Sequence, residues 1–198
     1  MLLRLFLALN PPPPVREQLA AAQIHLRTAL GDALGPELAL RWTRPAQFHL
    51  TLLFLGNVLE EQVPLLVRTV QETTRVTRSS LSLRLERYGC FPVVSRPRVF
   101  WIGLQPDPVL HELQCQLATN LCPWFALDAR DFSYPHITLA RSRTERSLPH
   151  LQDFLKGLAL PDGFDPAWDA QRLSLMRSVL GAKGSDYESL HEFRLASA

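Results

Sequence analysis

The stretches FHLTLLFLG (residues 48–56) and PHITLAR (residues 135–141) decide the fold of this chain, because each places the tripeptide His-x-Thr inside an apolar run. Successive side chains of a β-strand point to opposite faces, so His and Thr two positions apart project together while the residue between them enters the core. The pattern predicts two strands that each offer an imidazole and a hydroxyl on one face. These side chains are His49 with Thr51, and His136 with Thr138.

The repetition of this tripeptide exceeds what the composition predicts. With six histidines in 198 residues, about 0.3 His-x-Thr matches are expected by chance. One interpretation is a pair of strands that each carry a hydrogen-bonded histidine without further role. Polar side chains on one face of two apolar strands nevertheless need a partner or a cleft, which favours a shared functional site.

The composition indicates a soluble globular protein, with 46% hydrophobic residues, 20% charged residues and a formal net charge of +2. This length supports one substantial core or two small lobes that share an interface. Arginines cluster in two regions, and the charge balance leaves open whether they form solvated surface or an anion-facing rim. The clustered residues are Arg84, Arg87, Arg96, Arg98, Arg141, Arg143 and Arg146.

The cysteines and the N-terminal segment predict a cytoplasmic protein without membrane association. Cys90, Cys115 and Cys122 form neither a C-x-x-C pair nor zinc-finger spacing with histidine, so neither a disulfide framework nor a structural zinc site is expected. The apolar segment LLRLFLALN (residues 2–10) is too short to span a bilayer and lacks the features of a signal peptide. We interpret it as the first strand.

The hydrophobic periodicity along the chain predicts alternating helices and strands. Strands are expected at 3–9, at 49–55 with an end at Gly56-Asn57, and at 81–88, 98–104, 136–140, 172–180 and 187–195. Helices are expected at 15–30, 60–77, 109–121 and 148–158, the third of them opened by Asp107-Pro108. Loops are expected at 90–97 and 161–169, and a turn at GAKGSD, residues 181–186.

This order of elements predicts an α+β fold with antiparallel sheets, since most strands pair with neighbours rather than through helical crossovers. His49 and His136 lie nearly half the chain apart. The spacing suggests residues 1–198 as a single domain built of two pseudo-symmetric lobes that face each other across a cleft.

Several segments of the chain resemble, in the same order, those of the two-histidine (2H) phosphoesterase superfamily. Within it, they are most similar to the bacterial and archaeal RNA 2',3'-cyclic phosphodiesterase family, also called 2'-5' RNA ligases. Both His-x-Thr motifs match, and the resemblance covers essentially the whole chain. The matching segments are RLFLAL (4–9), RWTRPAQFHLTLLFLG (41–56), FPVVSRPRVFWIGL (91–104), PHITLAR (135–141) and LSLMRSVLGAKGSDYESLHEFRL (173–195).

The resemblance implies a fold of two lobes, with duplicated antiparallel sheets and outer helices around a central cleft. It implies hydrolysis of RNA 2',3'-cyclic phosphate ends to a 2'-phosphomonoester, with His49 as proton donor and His136 as proton acceptor. Thr51 and Thr138 would hold phosphate oxygens, and Arg141 would lie near the phosphate. The implied partners of this monomer are RNA with such ends, including tRNA fragments, and small cyclic nucleotides.

The residues themselves suit this chemistry, because an unperturbed histidine pKa of about 6.5 allows one copy to act as base and the other as acid. Two histidines also suffice to bind a transition metal. No carboxylate cluster with ligand spacing accompanies them, so we expect a reaction without metal or other cofactor. Two alternatives stay open: a 2'-5' RNA ligase or 2'-5' phosphodiesterase, and a non-catalytic RNA-end-binding module.

Aromatic residues near the motifs are candidates for stacking on a nucleobase. Core or rim packing is the competing interpretation, since large aromatics dominate protein cores. The candidates are Trp42, Phe48, Phe91 and Tyr134. The remaining histidines, His25, His111, His150 and His191, have no Thr partner and are assigned no catalytic role.

Overall fold

The computed structural model describes residues 1–34, 39–76, 81–92, 96–125, 127, 134–143, 148, 150–181 and 184–195. Its strands are β1 (Leu2–Leu9), β2 (Leu40–Trp42), β3 (Leu50–Leu59), β4 (Leu81–Phe91), β5 (Val99–Leu104), β6 (His136–Ser142), β7 (Ala167–Ala170), β8 (Arg172–Gly181) and β9 (Gly184–Arg194). Its α-helices are α1 (Pro13–Leu34), α2 (Val63–Val76), α3 (Pro108–Leu121) and α4 (Leu151–Gly157). Short 3-10 helices, Pro45–Gln47 and Glu60–Gln62, precede β3 and α2.

The described strands form an antiparallel sheet in the order β7-β4-β5-β6-β3-β1-β8-β9, with β2 pairing to β6. The two motif strands, β3 and β6, are neighbours in the middle of this order, with three strands beyond each of them. They share one registered pair, Leu50 opposite Ile137. Farther along, β6 pairs with β2 instead. The expected α+β fold with antiparallel sheets is confirmed.

One face of the sheet is covered by helices, and β1 shows how the sequence achieves this. Its odd-numbered leucines, Leu3 to Leu9, belong to the main core, to which all four helices contribute buried side chains. Because side chains alternate along a strand, Arg4 and Phe6 point to the other face. There Phe6 belongs to a second, smaller apolar cluster with Ala8 and Met176. The site is built on this second face.

The sequence pattern is wrong about where the first motif strand ends. Gly56 and Asn57, where the pattern predicts the end, lie within β3, which continues to Leu59. Gly56 has a φ of 68°, a conformation that costs glycine little, and it pairs with Leu5 of β1. The glycine therefore lets the strand change direction without ending.

The structure adds two strands that the sequence pattern does not predict. Leu40–Trp42 forms β2 along β6, and Ala167–Ala170, in the expected loop at 161–169, forms β7 along β4. These segments of three and four residues are too short for a recognisable alternation.

The remaining expected elements are present with shifted ends. Cys90 and Phe91 belong to β4 rather than to the loop at 90–97, and α4 is shorter than the helix expected at 148–158. Asp107 begins α3 as expected, since its side chain accepts a hydrogen bond from the Leu110 amide at 2.7 Å. Parts of several expected features lie outside the described residues: 77, 93–95, 146, 149 and 182–183.

The described helices are short or polar by the standard of a membrane span. None of them combines the length and the apolar character that crossing a bilayer requires.

Gly89 on β4 lets the indole of Trp101 on β5 lie directly against the backbone. The two residues are opposite each other in the register, and a Cβ on Gly89 would lie 2.2 Å from Cη2 of the indole. Trp101 is 3% exposed, and its ring centroid lies 6.0 Å from that of His136. Gly89 therefore helps to place the wall beside the second motif histidine.

Replacing Gly89 with Ala should lower the free energy of unfolding by about 1–3 kcal/mol, a typical cost of overpacking, because the indole has to move. Gly31→Ala in the last turn of α1 is the matched control: apart from its chain neighbours and its own helix backbone, no heavy atom lies within 4 Å of an added Cβ. Ala is also the better helix former, by at most roughly 0.5–1 kcal/mol. Urea unfolding measures both variants. A Gly89→Ala protein as stable as the wild type would contradict this packing.

Candidate active site

The pairing of Leu50 with Ile137 arranges the four motif side chains around the centre of the sheet. Because the strands run in opposite directions from this pair, the residue before Leu50 faces the residue after Ile137. His49 therefore lies opposite Thr138, and Thr51 lies opposite His136. The two histidines are thus diagonal neighbours, which in a regular antiparallel ladder lie about 7–8 Å apart. The structure brings the two predicted motifs together.

Each motif is followed by an irregularity in strand pairing. The register of β1 with β3 shifts between Leu7 and Ala8, and the register of β5 with β6 shifts between Phe100 and Trp101. Two successive residues after each Thr consequently enter the core, and the third is exposed. That exposed residue is Phe54 in β3 and Arg141 in β6.

Both imidazoles are held by the same kind of hydrogen bond, from Nδ1 to the backbone carbonyl two residues earlier in the chain. Nδ1 of His49 lies 2.7 Å from the carbonyl oxygen of Gln47, and Nδ1 of His136 lies 2.8 Å from the carbonyl oxygen of Tyr134. A carbonyl only accepts, so in each case Nδ1 carries the donated proton. In the neutral ring Nε2 is then the nitrogen that remains able to accept a proton.

The five predicted site residues line one cavity of about 500 Å³. They are His49, Thr51, His136, Thr138 and Arg141. The histidines and threonines are partly buried, whereas Arg141 is exposed at the border of the cavity. A cavity of this size is within the range of small-molecule sites, and its walls hold two titratable rings, two hydroxyls and a cation.

Burial lowers the pKa of both imidazoles, because a charged ring loses solvation there. For His136, burial and then the positive charge of Arg141 lower the pKa to about 4. Burial also lowers the pKa of His49, the hydrogen bond to Gln47 opposes this effect, and Arg141 and His136 lower it further. Both rings are therefore mainly neutral at pH 7, and Arg141 acts on both of them.

Aromatic rings surround each histidine. Phe6 and Tyr187 lie 5.1 and 4.8 Å from His49, measured between ring centroids. Phe91 and Trp101 lie 5.1 and 6.0 Å from His136, also measured between ring centroids. These apolar neighbours explain why burial dominates the pKa of both rings.

The aromatic residues proposed from sequence as candidates for stacking on a nucleobase lie in different surroundings. Phe48 is buried in the core, so it offers no free face to a base. Trp42 is partly buried against the core and also lines a cavity beside the site with Arg141 and Tyr187. Phe91 and Tyr134 do lie beside His136, with Tyr134 6.2 Å from Phe91. Their role in stacking stays a prediction.

Sequence reasoning missed several residues that line the cavity. Arg4, Phe6 and Phe54 reach it from β1 and β3, and Ser178, Ser185 and Tyr187 from β8 and β9. The alternation in β1 was a usable signal for Arg4 and Phe6, since the intervening leucines face the core. No sequence signal linked β9 to the motifs.

Gln47 ties the first motif to the hairpin of β8 and β9. While its carbonyl holds His49, its side-chain Nε2 donates to the carbonyl of Ser185 at 3.1 Å and to Oδ1 of Asp186 at 2.9 Å. Arg44 forms an ion pair with the same carboxylate of Asp186. These contacts hold the start of β9, and with it Tyr187, against the His49 ring.

The other histidines and the cysteines lie elsewhere. His25 contacts the hydroxyl of Tyr88, His111 contacts Cys115, and His191 packs on Phe193. Cys90, Cys115 and Cys122 are free thiols. Within the described residues, no three His, Cys, Asp or Glu side chains are grouped as a metal site.

Sequence comparison gives relatives along the whole chain. The family model described as LigT like Phosphoesterase matches residues 9–101. The RNA 2',3'-cyclic phosphodiesterase of Thermus thermophilus is 31% identical over 203 residues, which covers 98% of this chain and 90% of that protein. The protein of the same name from Archaeoglobus fulgidus is 28% identical over 191 residues, which covers 96% and 99%.

Solved structures similar to this chain point to the same family. TT0787 of Thermus thermophilus superposes with a TM-score of 0.73 at 30% identity, covering 97% of both chains. E. coli LigT complexed with 3'-AMP superposes with a TM-score of 0.74 at 27% identity, covering 100% of both chains. The chain therefore belongs to the LigT-like phosphoesterase family of the two-histidine superfamily, which confirms the resemblance seen in the sequence.

The His136 imidazole should titrate near pH 4, since burial and Arg141 lower its pKa to about that value. A histidine in the unfolded chain titrates at about 6.5. Between these two values the unfolded state binds more protons than the folded state, so the free energy of unfolding should decrease as the pH falls from about 6.5 to 4. NMR titration of the ring and urea unfolding across this range measure both effects.

The His136→Gln variant is the control for this titration, because it should flatten part of the pH dependence of unfolding. A wild-type His136 midpoint at the unperturbed value would contradict the assigned environment.

Proposed function

We propose that this protein hydrolyses RNA 2',3'-cyclic phosphate ends to a 2'-phosphomonoester without a metal ion, with His49 as general acid and His136 as general base. The observation that carries this proposal is the pair of diagonal imidazoles, each fixed through Nδ1 in one cavity with Arg141, so that each ring has Nε2 left for proton transfer. Relatives named RNA 2',3'-cyclic phosphodiesterase and the 3'-AMP complex of E. coli LigT support the substrate class.

In the proposed reaction a water molecule attacks the phosphorus of the cyclic ester, and the bond between phosphorus and O3' breaks. Nε2 of His136 takes the proton of the water, and His49, which enters the reaction as the imidazolium with protons on both ring nitrogens, gives its Nε2 proton to O3' and becomes neutral. In-line displacement requires these two groups on opposite sides of the phosphorus. The diagonal arrangement of the two histidines across the β3–β6 pair supports such a placement.

The different surroundings of the two rings support this division of roles. A His136 pKa of about 4 keeps that ring neutral and ready to accept a proton at pH 7. A bound phosphate anion favours the charged form of a nearby imidazole, and the hydrogen bond from His49 to Gln47 acts in the same direction. The ribose, as the leaving group, would then lie on the side of His49.

Thr51, Thr138 and Arg141 are the proposed ligands of the non-bridging phosphate oxygens. Preorganised donors stabilise the charge that develops on such oxygens in the transition state. Arg141 lowers the pKa of both histidines, which supports a role for its charge beside a group bound between the rings.

We also propose that residues 1–198 form a single domain of two pseudo-symmetric lobes. The matching burial pattern after each motif and the matching Nδ1 hydrogen bonds support this internal relation. Our proposal assigns the activity to a monomer in the cytoplasm, acting on RNA ends that include tRNA fragments and on small cyclic nucleotides. The three free thiols suit a reducing compartment.

Replacing His49 or His136 with Ala should reduce the rate on a 2',3'-cyclic nucleotide by about 10² to 10⁴-fold, the usual value of one positioned proton-transfer group. Thr51→Ala or Thr138→Ala should cost less, on the order of tenfold to 10³-fold, for one lost transition-state donor. His111→Ala, which removes a histidine outside the cavity, is the control and should keep the wild-type rate.

The wild-type rate should be bell-shaped in pH, and each single His variant should lose one limb of that profile. Steady-state kinetics together with identification of the phosphomonoester isomer measure these outcomes. A folded His49→Ala or His136→Ala protein with nearly wild-type turnover would refute the mechanism. A wild-type protein that binds cyclic-phosphate RNA without turning it over would favour the binding-module alternative.

The reaction should continue after exhaustive chelation, because the proposed mechanism uses only the two imidazoles for proton transfer. Assaying the protein before and after dialysis against a chelator tests this, and a chelator-treated metalloenzyme in parallel shows that the treatment works. Activity that disappears and returns with added zinc or manganese would overturn metal independence.

A further inference from the structure

A second cavity of about 230 Å³ opens beside the catalytic cavity and shares Arg141, Ser185 and Tyr187 with it. Arg41 of β2 also lines this second cavity, together with Gln47. Since the Gln47 carbonyl holds His49 and the Tyr187 ring contacts it, the second cavity lies on the His49 side of the site.

Arg41 lies directly opposite Arg141 in the pairing of β2 with β6. Side chains in this relation have Cβ atoms about 4.5–5.5 Å apart, and like charges placed there repel each other. Both arginines are exposed, so water screens part of the repulsion. The strand register nonetheless brings two positive charges together at the second cavity, and Arg141 also lines the first.

Asp186 is the one acidic side chain among the described residues that line the second cavity, and its carboxylate is paired with Arg44. Among these residues, neither Arg41 nor Arg141 forms a salt bridge, whereas the neighbouring Arg44 is paired with Asp186. The carboxylate of Asp186 also accepts from Gln47, so it is already engaged. The chemistry that compensates two adjacent guanidinium groups is a phosphate, which arginine binds through its forked donors.

We propose that the second cavity binds the phosphodiester on the 5' side of the terminal nucleotide, with Arg41 as its ligand. This inference rests on the proposed function. If His49 protonates the leaving O3', the ribose lies on the His49 side, and the RNA chain continues from that ribose into the second cavity. Arg141 then faces the reacting phosphate while Arg41 faces the next one. The site consequently prefers RNA ends over cyclic mononucleotides.

The test compares kcat/KM for a 2',3'-cyclic mononucleotide with kcat/KM for a short oligoribonucleotide that ends in the same cyclic nucleotide. Arg41→Gln should lower the ratio of oligonucleotide to mononucleotide kcat/KM about tenfold, the value of one contact to a charged group. On the oligonucleotide, the slope of log(kcat/KM) against log[salt] should become shallower by about 0.7, as expected for one lost phosphate contact on a single strand. Arg41→Lys should restore part of the ratio.

Two matched variants accompany this comparison. Arg68→Gln removes one exposed positive charge from α2, outside both cavities, and should leave the ratio unchanged. Arg4→Gln removes the cation that reaches the catalytic cavity from β1, so it tests whether the RNA chain contacts Arg4 rather than Arg41. An unchanged ratio in Arg41→Gln, or a loss that appears in Arg4→Gln instead, would overturn the proposed route of the RNA.

A binding experiment separates this inference from the proposed function. If the wild type turns over no cyclic phosphate, the proposed function fails. Fluorescence anisotropy with an oligoribonucleotide that ends in a 2'-phosphate then tests the subsite alone. Weaker binding by Arg41→Gln than by Arg68→Gln would support the subsite, and equal binding would overturn it.

Discussion

The single registered pair between β3 and β6 is the contact on which the site depends. Leu50 and Ile137 are both fully buried, and they hold the two motif strands together at the centre of the sheet. β3 begins at Leu50 and β6 at His136, so the two antiparallel strands overlap only around this pair and continue from it in opposite directions. A fully paired β3–β6 ladder would bring the polar side chains of both motifs into regular cross-strand contact and leave little room for a ligand.

The two motif strands share one burial pattern but expose different side chains to the site. In each motif strand an irregular pairing turns two residues into the core and exposes the third, which is Phe54 in one strand and Arg141 in the other. Arg141 lowers the pKa of both histidines and is available to bind an anion. Phe54 instead offers an apolar face, with its ring centroid 6.1 Å from that of Phe6. The same irregularity in the two motif strands thus yields a site with a polar end and an aromatic end.

The sequence predicted the central residues of the site better than its surroundings. The period-two pattern of each His-x-Thr run determined which side chains share a face, and the antiparallel sheet brought His49 and His136 into one cavity as expected. The alternation did not reveal the short strands β2 and β7, because three or four residues carry too little pattern. It also did not place Tyr187 beside His49, since that contact depends on β9 reaching across the sheet. The repulsive pairing of Arg41 with Arg141 followed only from the register of β2.

The contacts of Gln47 with Ser185 and Asp186 bear on the order in which the site is completed during synthesis. Chains emerge from the ribosome starting at the N-terminus, so both His-x-Thr motifs leave it well before the hairpin of β8 and β9. Until that hairpin pairs with β1, His49 lacks Tyr187 and the loop before it lacks its anchor. A nascent chain that already contains every predicted catalytic side chain is therefore still an incomplete enzyme, and the last strands determine when it matures.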